Sequence, residues 1–258
     1  MQIFPNILVF LFGAIVGSFL NVCIYRLPDD LSIVSPASRC PRCGTPVRFY
    51  DNIPLLSYLL LRGRCRQCRE KISWQYPLVE LLSALAALVV FHQFGFSWPG
   101  LVVFIFIASL LVISFIDLEH KIIPDVITLP GIPVFFLAGV FILGMSFIDA
   151  LLGVLIGGGV LFVIGYVYQL ITKREGMGGG DIKLLAMLGG FLGWQSLIFI
   201  VLVSSLLGAI VGLLTIMVKG GDMKYALPFG PFLSLAAAGY IFFGQLFWEF
   251  LFLVSHLY

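Results

Sequence analysis

From Leu81 to Ile116 the chain reads LLSALAALVVFHQFGFSWPGLVVFIFIASLLVISFI, 36 residues without an aspartate, glutamate, lysine or arginine. A single helix of that length would extend about 54 Å, whereas roughly 20 apolar residues cross a hydrocarbon core of about 30 Å. His92-Gln93 and Ser97-Trp98-Pro99-Gly100 interrupt the run and divide it into two spans. The 35-residue run Leu184–Val218 divides likewise, at Gly189-Gly190 and at Gly193-Trp194-Gln195. Four further uncharged runs, Met1–Tyr25, Val126–Ile148, Ala150–Thr172 and Tyr225–Trp248, each suffice for one crossing. The pattern predicts an all-α polytopic membrane protein with about eight transmembrane helices. Its sixth span, from about Asp181 to Gly193, is short and is expected to be a partial or tilted pass lined by protein.

Composition agrees. Of the 258 residues 60% are hydrophobic and 11% charged, with a mean hydropathy of +1.10. A soluble domain carries about 25% charged residues, so the chain lacks the charge to cover a water-facing surface. All fifteen lysines and arginines fall in four segments, Arg26–Lys71, Asp117–Asp125, Lys173–Lys183 and Lys219–Lys224, which eight alternating spans place on one side. By the positive-inside rule that side is the cytoplasm and both termini lie outside. The first run has no basic residue before it and Arg26 after it, so it reads as a retained helix rather than a cleaved signal peptide. The expected organisation is a first helix over 1–26, a cytoplasmic loop over 27–76 and a seven-helix membrane core over 77–258.

The loop carries nine basic residues, counting Arg26 at its edge, and four of the five cysteines. These form two CxxC pairs, Cys40/Cys43 and Cys65/Cys68, separated by 21 residues. That layout suits a four-thiolate zinc site in which each pair forms a knuckle, and Gly44 suits the tight turn. Two disulfides are the competing reading, disfavoured in a reducing cytoplasm. Four thiolates leave no open position for water, so the zinc is structural. Cys23 lies within the first span as a small packing residue. The loop arginines hold the segment inside and touch anionic headgroups. They are too scattered for a nucleic-acid surface, and no nucleic-acid partner is expected.

Scarce charge makes two carboxylates conspicuous. Asp117 ends the third apolar run and Asp181 opens the sixth, after Gly176, Gly178, Gly179 and Gly180. A carboxylate at the bilayer boundary is costly unless paired or facing water, so both are functional candidates. The glycines permit positive φ and close approach of another chain, and Asp181 stands near a helix N-terminus, where the macrodipole favours a carboxylate. Two such groups facing each other can share a proton, one acting as base toward water while the other donates to a carbonyl. Ion binding and proton relay are the alternatives at this point.

These residues, taken in register, resemble the bacterial type IV prepilin peptidases. Similar segments are Gly17–Pro28, the CxxC pairs, Asp51–Pro54, Arg62–Cys65, Tyr76–Glu80, Ile116-Asp117 with Ile123–Asp125, Gly178–Leu184 and Pro228–Pro231. The resemblance implies a membrane aspartic endopeptidase of the GxGD kind in the bacterial inner membrane, with Asp117 and Asp181 as the catalytic pair and the four cysteines as zinc ligands. It implies prepilin and type II secretion pseudopilin substrates, cut after a glycine that follows a short basic leader. It also implies N-methylation of the new amine from S-adenosylmethionine, with the region from the CxxC loop to Glu80 as the place to look. No nucleotide fingerprint is present, because no strand precedes the glycines.

Several neighbours are weighed beside the pair. Asp125 is a conceivable partner for Asp181, but its expected role is to cap the fourth helix, with Val126 as the first helical residue. Glu119 and His120 read as solvated loop residues. Glu80, four residues after Tyr76, is a weak candidate for the leader, a loop arginine or a cofactor amine. Gly178, Gly179, Gly180 and Lys183 form the expected substrate-approach loop, with Lys183 snorkelling or orienting substrate. Two other classes remain: an ion or metal transporter, which predicts broken or charged helices at the bilayer midplane and an internal repeat, and a membrane-anchored zinc sensor or scaffold.

Overall fold

A computed structural model describes residues 3–172, 178–219 and 227–255. Gly176, with the basic residues Lys173, Arg174 and Lys224, lies outside the described residues. The described chain is helical: α1 (Ile3–Arg26), α2 (Leu56–Leu60), α3 (Gln75–Phe94), α4 (Trp98–His120), α5 (Asp125–Phe141), α6 (Phe147–Val154), a π-helical turn (Leu155–Val160), α7 (Leu161–Thr172), α8 (Gly179–Leu192), α9 (Trp194–Lys219) and α10 (Gly230–Ser255). No strand forms among the described residues, and five helices (α1, α3, α4, α9 and α10) are long and apolar enough to cross a membrane. The long run from Leu81 breaks where its polar interruptions fall, between Phe94 and Trp98. The run from Leu184 breaks at Gly193, which takes φ +83.

The chain forms two compact units, Met1–Val112 and Ile113–Tyr258. In the first, α1 and α3 pack on small residues. A Cβ on Gly13 would sit 2.7 Å from Ala84 Cα, and one on Gly17 would sit 2.6 Å from Glu80 Cα. This spacing of small residues lets apolar helices touch backbone to backbone, which replaces the hydrophobic drive that lipid cannot supply. Ser83 Oγ donates to Gly13 O at 2.7 Å and Asn21 Nδ2 to Tyr76 O at 3.0 Å, so polar groups reinforce the same seam.

The second unit is organised around α8. At 14 residues it rises only about 21 Å, too short to cross alone. Every residue from Leu184 to Phe191 is buried, and α5, α6, the π-helical turn, α9 and α10 pack around it. A helix apolar on all sides belongs in such a setting. Glycine sets its depth: a Cβ on Gly153 would lie 2.0 Å from Gly189 O, and one on Gly157 would lie 2.4 Å from Leu185 O. Any side chain there would push the helices apart.

Candidate active site and metal centre

Asp117 sits one turn from the C-terminal end of α4 with 5% of its surface exposed. Its Oδ2 accepts the backbone N–H of Gly230, the first residue of α10, at 2.8 Å. The local sequence explains the bond. The first N–H groups of a helix have no partner within it, Pro231 has none to give, and the positive end of the macrodipole favours a carboxylate. Gly230 is required for the approach, since a Cβ there would lie 2.8 Å from Oδ2.

Asp181 lies in the first turn of α8, half-buried, and its own N–H bonds Gly178 O at 3.1 Å. It is close enough to Asp117 for the charge on one carboxyl to act on the other. Of the two properties expected of the glycines before it, close approach is present at Gly180 and positive φ is not used. Gly178 holds φ −63 and ψ 125 at the N-cap, and none of Gly178, Gly179 and Gly180 takes positive φ. Their use is proximity: a Cβ on Gly180 would lie 2.8 Å from Ile123 Cβ, so the turn rests against the α4–α5 loop.

Asp125 departs from its expected role. It is the first residue of α5, Pro124 occupies the N-cap without a side-chain cap bond, and the Asp125 carboxylate instead receives Lys183 Nζ on both oxygens at 2.7 Å. With the helix starting one residue earlier than expected, the carboxylate is left free of the cap position and pairs with the lysine in a charge-assisted bond. Lys183 is therefore engaged by protein. Glu119 and His120 close α4, exposed and 4.0 Å from each other.

The two CxxC segments fold into congruent turns. Gly44 N–H bonds Cys40 O at 2.9 Å, and Arg69 N–H bonds Cys65 O at 3.1 Å. Cys40 N–H bonds Thr45 O at 3.0 Å, and Cys65 N–H bonds Glu70 O at 2.8 Å. The residue after the second cysteine is left-handed in both, Gly44 at φ +69 and Arg69 at φ +60. All four Sγ atoms lie within 4.8 Å of one another, and Cys40 and Cys68 stand 3.7 Å apart. A tetrahedron with metal–sulfur bonds of about 2.3 Å has edges of about 3.8 Å, so the donor set fits a four-thiolate ion. The Thr45 hydroxyl and backbone N–H beside Cys43 draw its thiol down to about 6, while burial and the neighbouring thiols push Cys68 up, so the four-thiol cluster sheds its first proton at Cys43. Arg42 pairs with Glu70 and so joins the two turns. Arg66 grips both oxygens of Asp51, holding that carboxyl below its usual range.

Glu80 is buried on α3, and its Oε2 accepts Leu55 N–H at 2.7 Å. Leu55 takes φ 60 and ψ −48, and Leu56 N–H closes on Pro54 O at 2.6 Å. That is a γ-turn, strained for a branched residue and persisting only where its surroundings hold it. Gly230 and Leu55 carried no assigned role at the level of sequence. The motif Pro228–Pro231 marked the place of Gly230, and Leu55 directly follows Asp51–Pro54, but the partners come from elements far along the chain.

The profile of the bacterial peptidase A24 N-terminal domain matches residues 11–94, and that of the type IV leader peptidase family matches residues 104–213. A prepilin leader peptidase/N-methyltransferase of Pseudomonas putida is 40% identical over 246 residues, covering 87% of this chain and 85% of the relative. The protein of that name from Pseudomonas aeruginosa is 40% identical over 249 residues, 88% of this chain and 86% of its own. That of Myxococcus xanthus is 46% identical over 222 residues, 84% and 65% respectively. No solved structure matches the chain.

Proposed function

The chain belongs to the type IV leader peptidase family, and from that premise we propose that it removes the leader of type IV prepilins and then N-methylates the new N-terminus. Type II secretion pseudopilins are the second substrate class. The observation that carries the reading is the Asp117 carboxylate, buried, fixed by Gly230 N–H and within electrostatic reach of Asp181. We assign the catalytic pair to these two residues. One carboxylate takes a proton from water as the oxygen adds to the scissile carbonyl carbon, while the other, protonated, donates to the carbonyl oxygen. The tetrahedral adduct then expels the amine, which takes a proton from the pair, and no covalent intermediate forms. With Oδ2 held by Gly230, Asp117 keeps Oδ1 for this exchange.

The eight-crossing topology in the inner membrane, with the pair at the cytoplasmic face and both termini outside, places the leader on the side where it is made. The division into 1–26, 27–76 and 77–258 goes with it, Gly178, Gly179, Gly180 and Lys183 bordering the approach to Asp181. The metal held by Cys40, Cys43, Cys65 and Cys68 is zinc, with a structural role. S-adenosylmethionine, when bound, supplies the methyl group. Glu80 is the residue to test for the cofactor amine, although its bond to Leu55 N–H already suits it to holding the loop. A transporter finds no support, since the carboxylates sit at helix ends rather than helix centres.

The test uses full-length protein in detergent with a prepilin peptide and S-adenosylmethionine, followed by mass spectrometry. Asp117→Asn and Asp181→Asn are each expected to abolish cleavage at unchanged thermal stability. Wild-type cleavage by either variant would overturn the pair. Glu80→Gln that cleaves but does not methylate assigns Glu80 to the cofactor; parallel loss of both activities with lowered stability assigns it to the loop.

A further inference from the structure

Among the described residues, four of the eight arginines from Arg26 to Arg69 have internal acceptors. Arg26 donates to Ser32 O and Pro36 O, Arg42 pairs with Glu70, Arg48 reaches the Tyr50 hydroxyl and Arg66 holds Asp51. Of the other four, Arg62, Arg64 and Arg69 converge with Leu60 and Leu61 on one cleft of about 580 Å³. The nearest acidic side chain in sequence, Glu70, is already taken by Arg42. Two of these arginines also stand on left-handed backbone, Arg62 at φ 53 and Arg69 at φ 60. Arg69 takes that conformation as the counterpart of Gly44 in the second metal turn.

Beside the cleft, the short helix α2 exposes Leu59 by 71% and Leu60 by 73%. The loop rejoins the apolar helix α3 at Gln75, six residues after Arg69. The cleft is thus tethered close to the membrane end of a spanning helix, with apolar side chains next to unpaired cations. A lipid surface satisfies both, taking leucine among acyl chains and guanidinium at phosphate, to which Arg donates in a bidentate fork. Free phosphate would leave the leucines in water, and an acidic peptide would leave no reason for them to be adjacent.

We propose that the cleft of Arg62, Arg64 and Arg69 binds the phosphate of an anionic phosphoglyceride, with Leu59 and Leu60 inserted among its acyl chains. The loop is then a lipid-reading element as well as a metal-bound one. This goes beyond the peptidase reading and stands apart from Asp117 and Asp181.

The experiment titrates the full-length protein in a neutral detergent with phosphatidylglycerol or phosphatidylcholine and counts bound lipid by native mass spectrometry. Inorganic phosphate and polyglutamate serve as competitors. The triple variant Arg62→Asn, Arg64→Gln, Arg69→Asn removes the charge while keeping a residue that tolerates left-handed backbone. At about 1 kcal/mol, or about fivefold, per basic residue, the wild type should prefer phosphatidylglycerol by about 100-fold, and the variant should lose that preference at an unchanged melting temperature. Leu59→Gln with Leu60→Gln should weaken both lipids and keep the preference. Equal binding of the two lipids by wild type, or a preference surviving in the triple variant, would overturn the proposal. Displacement of phosphatidylglycerol by millimolar phosphate would assign the cleft to a soluble anion, and displacement by polyglutamate to an acidic protein; either outcome also overturns it. A triple variant that melts early is replaced by the single Arg64→Gln, which lies outside the left-handed positions and should lose about fivefold.

Discussion

Replacing Gly230 by alanine perturbs the active site through a single methyl group. The added Cβ would lie 2.8 Å from Asp117 Oδ2, 3.3 Å from Cγ and 3.4 Å from Cβ. Ordinary carbon–oxygen contact is near 3.3 Å, so the carboxylate must retreat by roughly half an ångström and its bond to Gly230 N–H, 2.8 Å in the native chain, lengthens or breaks. Gly230 does not use positive φ, and alanine is the better helix former by about 1 kcal/mol, so backbone strain does not confuse the result. A misplacement of about 1 Å costs about 100-fold in rate. For half that distance, together with a weakened bond to a charged group, kcat should fall 10- to 100-fold, about 1.4–2.7 kcal/mol of barrier, with KM little changed. The assay is steady-state cleavage of a prepilin peptide by the purified protein, with melting temperature measured alongside. Gly239→Ala on the same helix is the control, because its Cβ meets nothing within 4 Å. Wild-type kcat in Gly230→Ala, or an equal loss in Gly239→Ala, would refute the role given to the Gly230–Asp117 bond.

Lys183→Met should lower kcat about tenfold while shifting thermal stability little, because the pair it breaks with Asp125 is largely exposed and worth under about 1 kcal/mol in stability. The charge swap Lys183→Asp with Asp125→Lys should recover part of the rate, and a neutral Lys183→Met would remove the pair from the positioning of Asp181. Metal analysis of purified protein should find one zinc per chain, lost in Cys40→Ser along with thermal stability; a full complement in that variant would contradict the four-thiolate site. Since Gly44 and Arg69 hold the same left-handed place in the two turns, Gly44→Ala should cost about 1 kcal/mol while Arg69→Gly costs nothing or stabilises slightly. Chelator titration of zinc release reads the difference.

What was legible in the sequence was whatever depends on neighbours along the chain. The break between α3 and α4 was readable because His92-Gln93 and Pro99-Gly100 act within a turn of themselves. The four-cysteine cluster was readable because the knuckle is closed by bonds such as Gly44 N–H to Cys40 O, four residues apart. Asp117 and Asp181 stood out only because so few charges surround them. Asp125 was misread for the opposite reason. Its cap-like position is a local signal, but Pro124 takes the cap and the carboxylate pairs with Lys183, 58 residues away. The glycines before Asp181 were half-legible: their composition allowed left-handed backbone, which none of Gly178, Gly179 and Gly180 takes, and close approach, which Gly180 makes to Ile123.

The placement of Asp181 follows from that long-range packing. Its depth is inherited from α8, and the height of α8 is set where Gly153 meets Gly189 and Gly157 meets Leu185, backbone against backbone. Contacts of that kind have no rotamers to relax, so α8 is held more rigidly than a leucine-packed helix would be. Asp117 is fixed in a comparable way, by a main-chain N–H from the start of α10 rather than by another side chain. The two carboxyls are therefore positioned by helix termini and glycine crossings within one unit. The catalytic pair we propose is, on that footing, pre-organised by elements that few single side-chain substitutions can move, which is why the glycines, more than the residues around the carboxyls, are where the geometry is vulnerable.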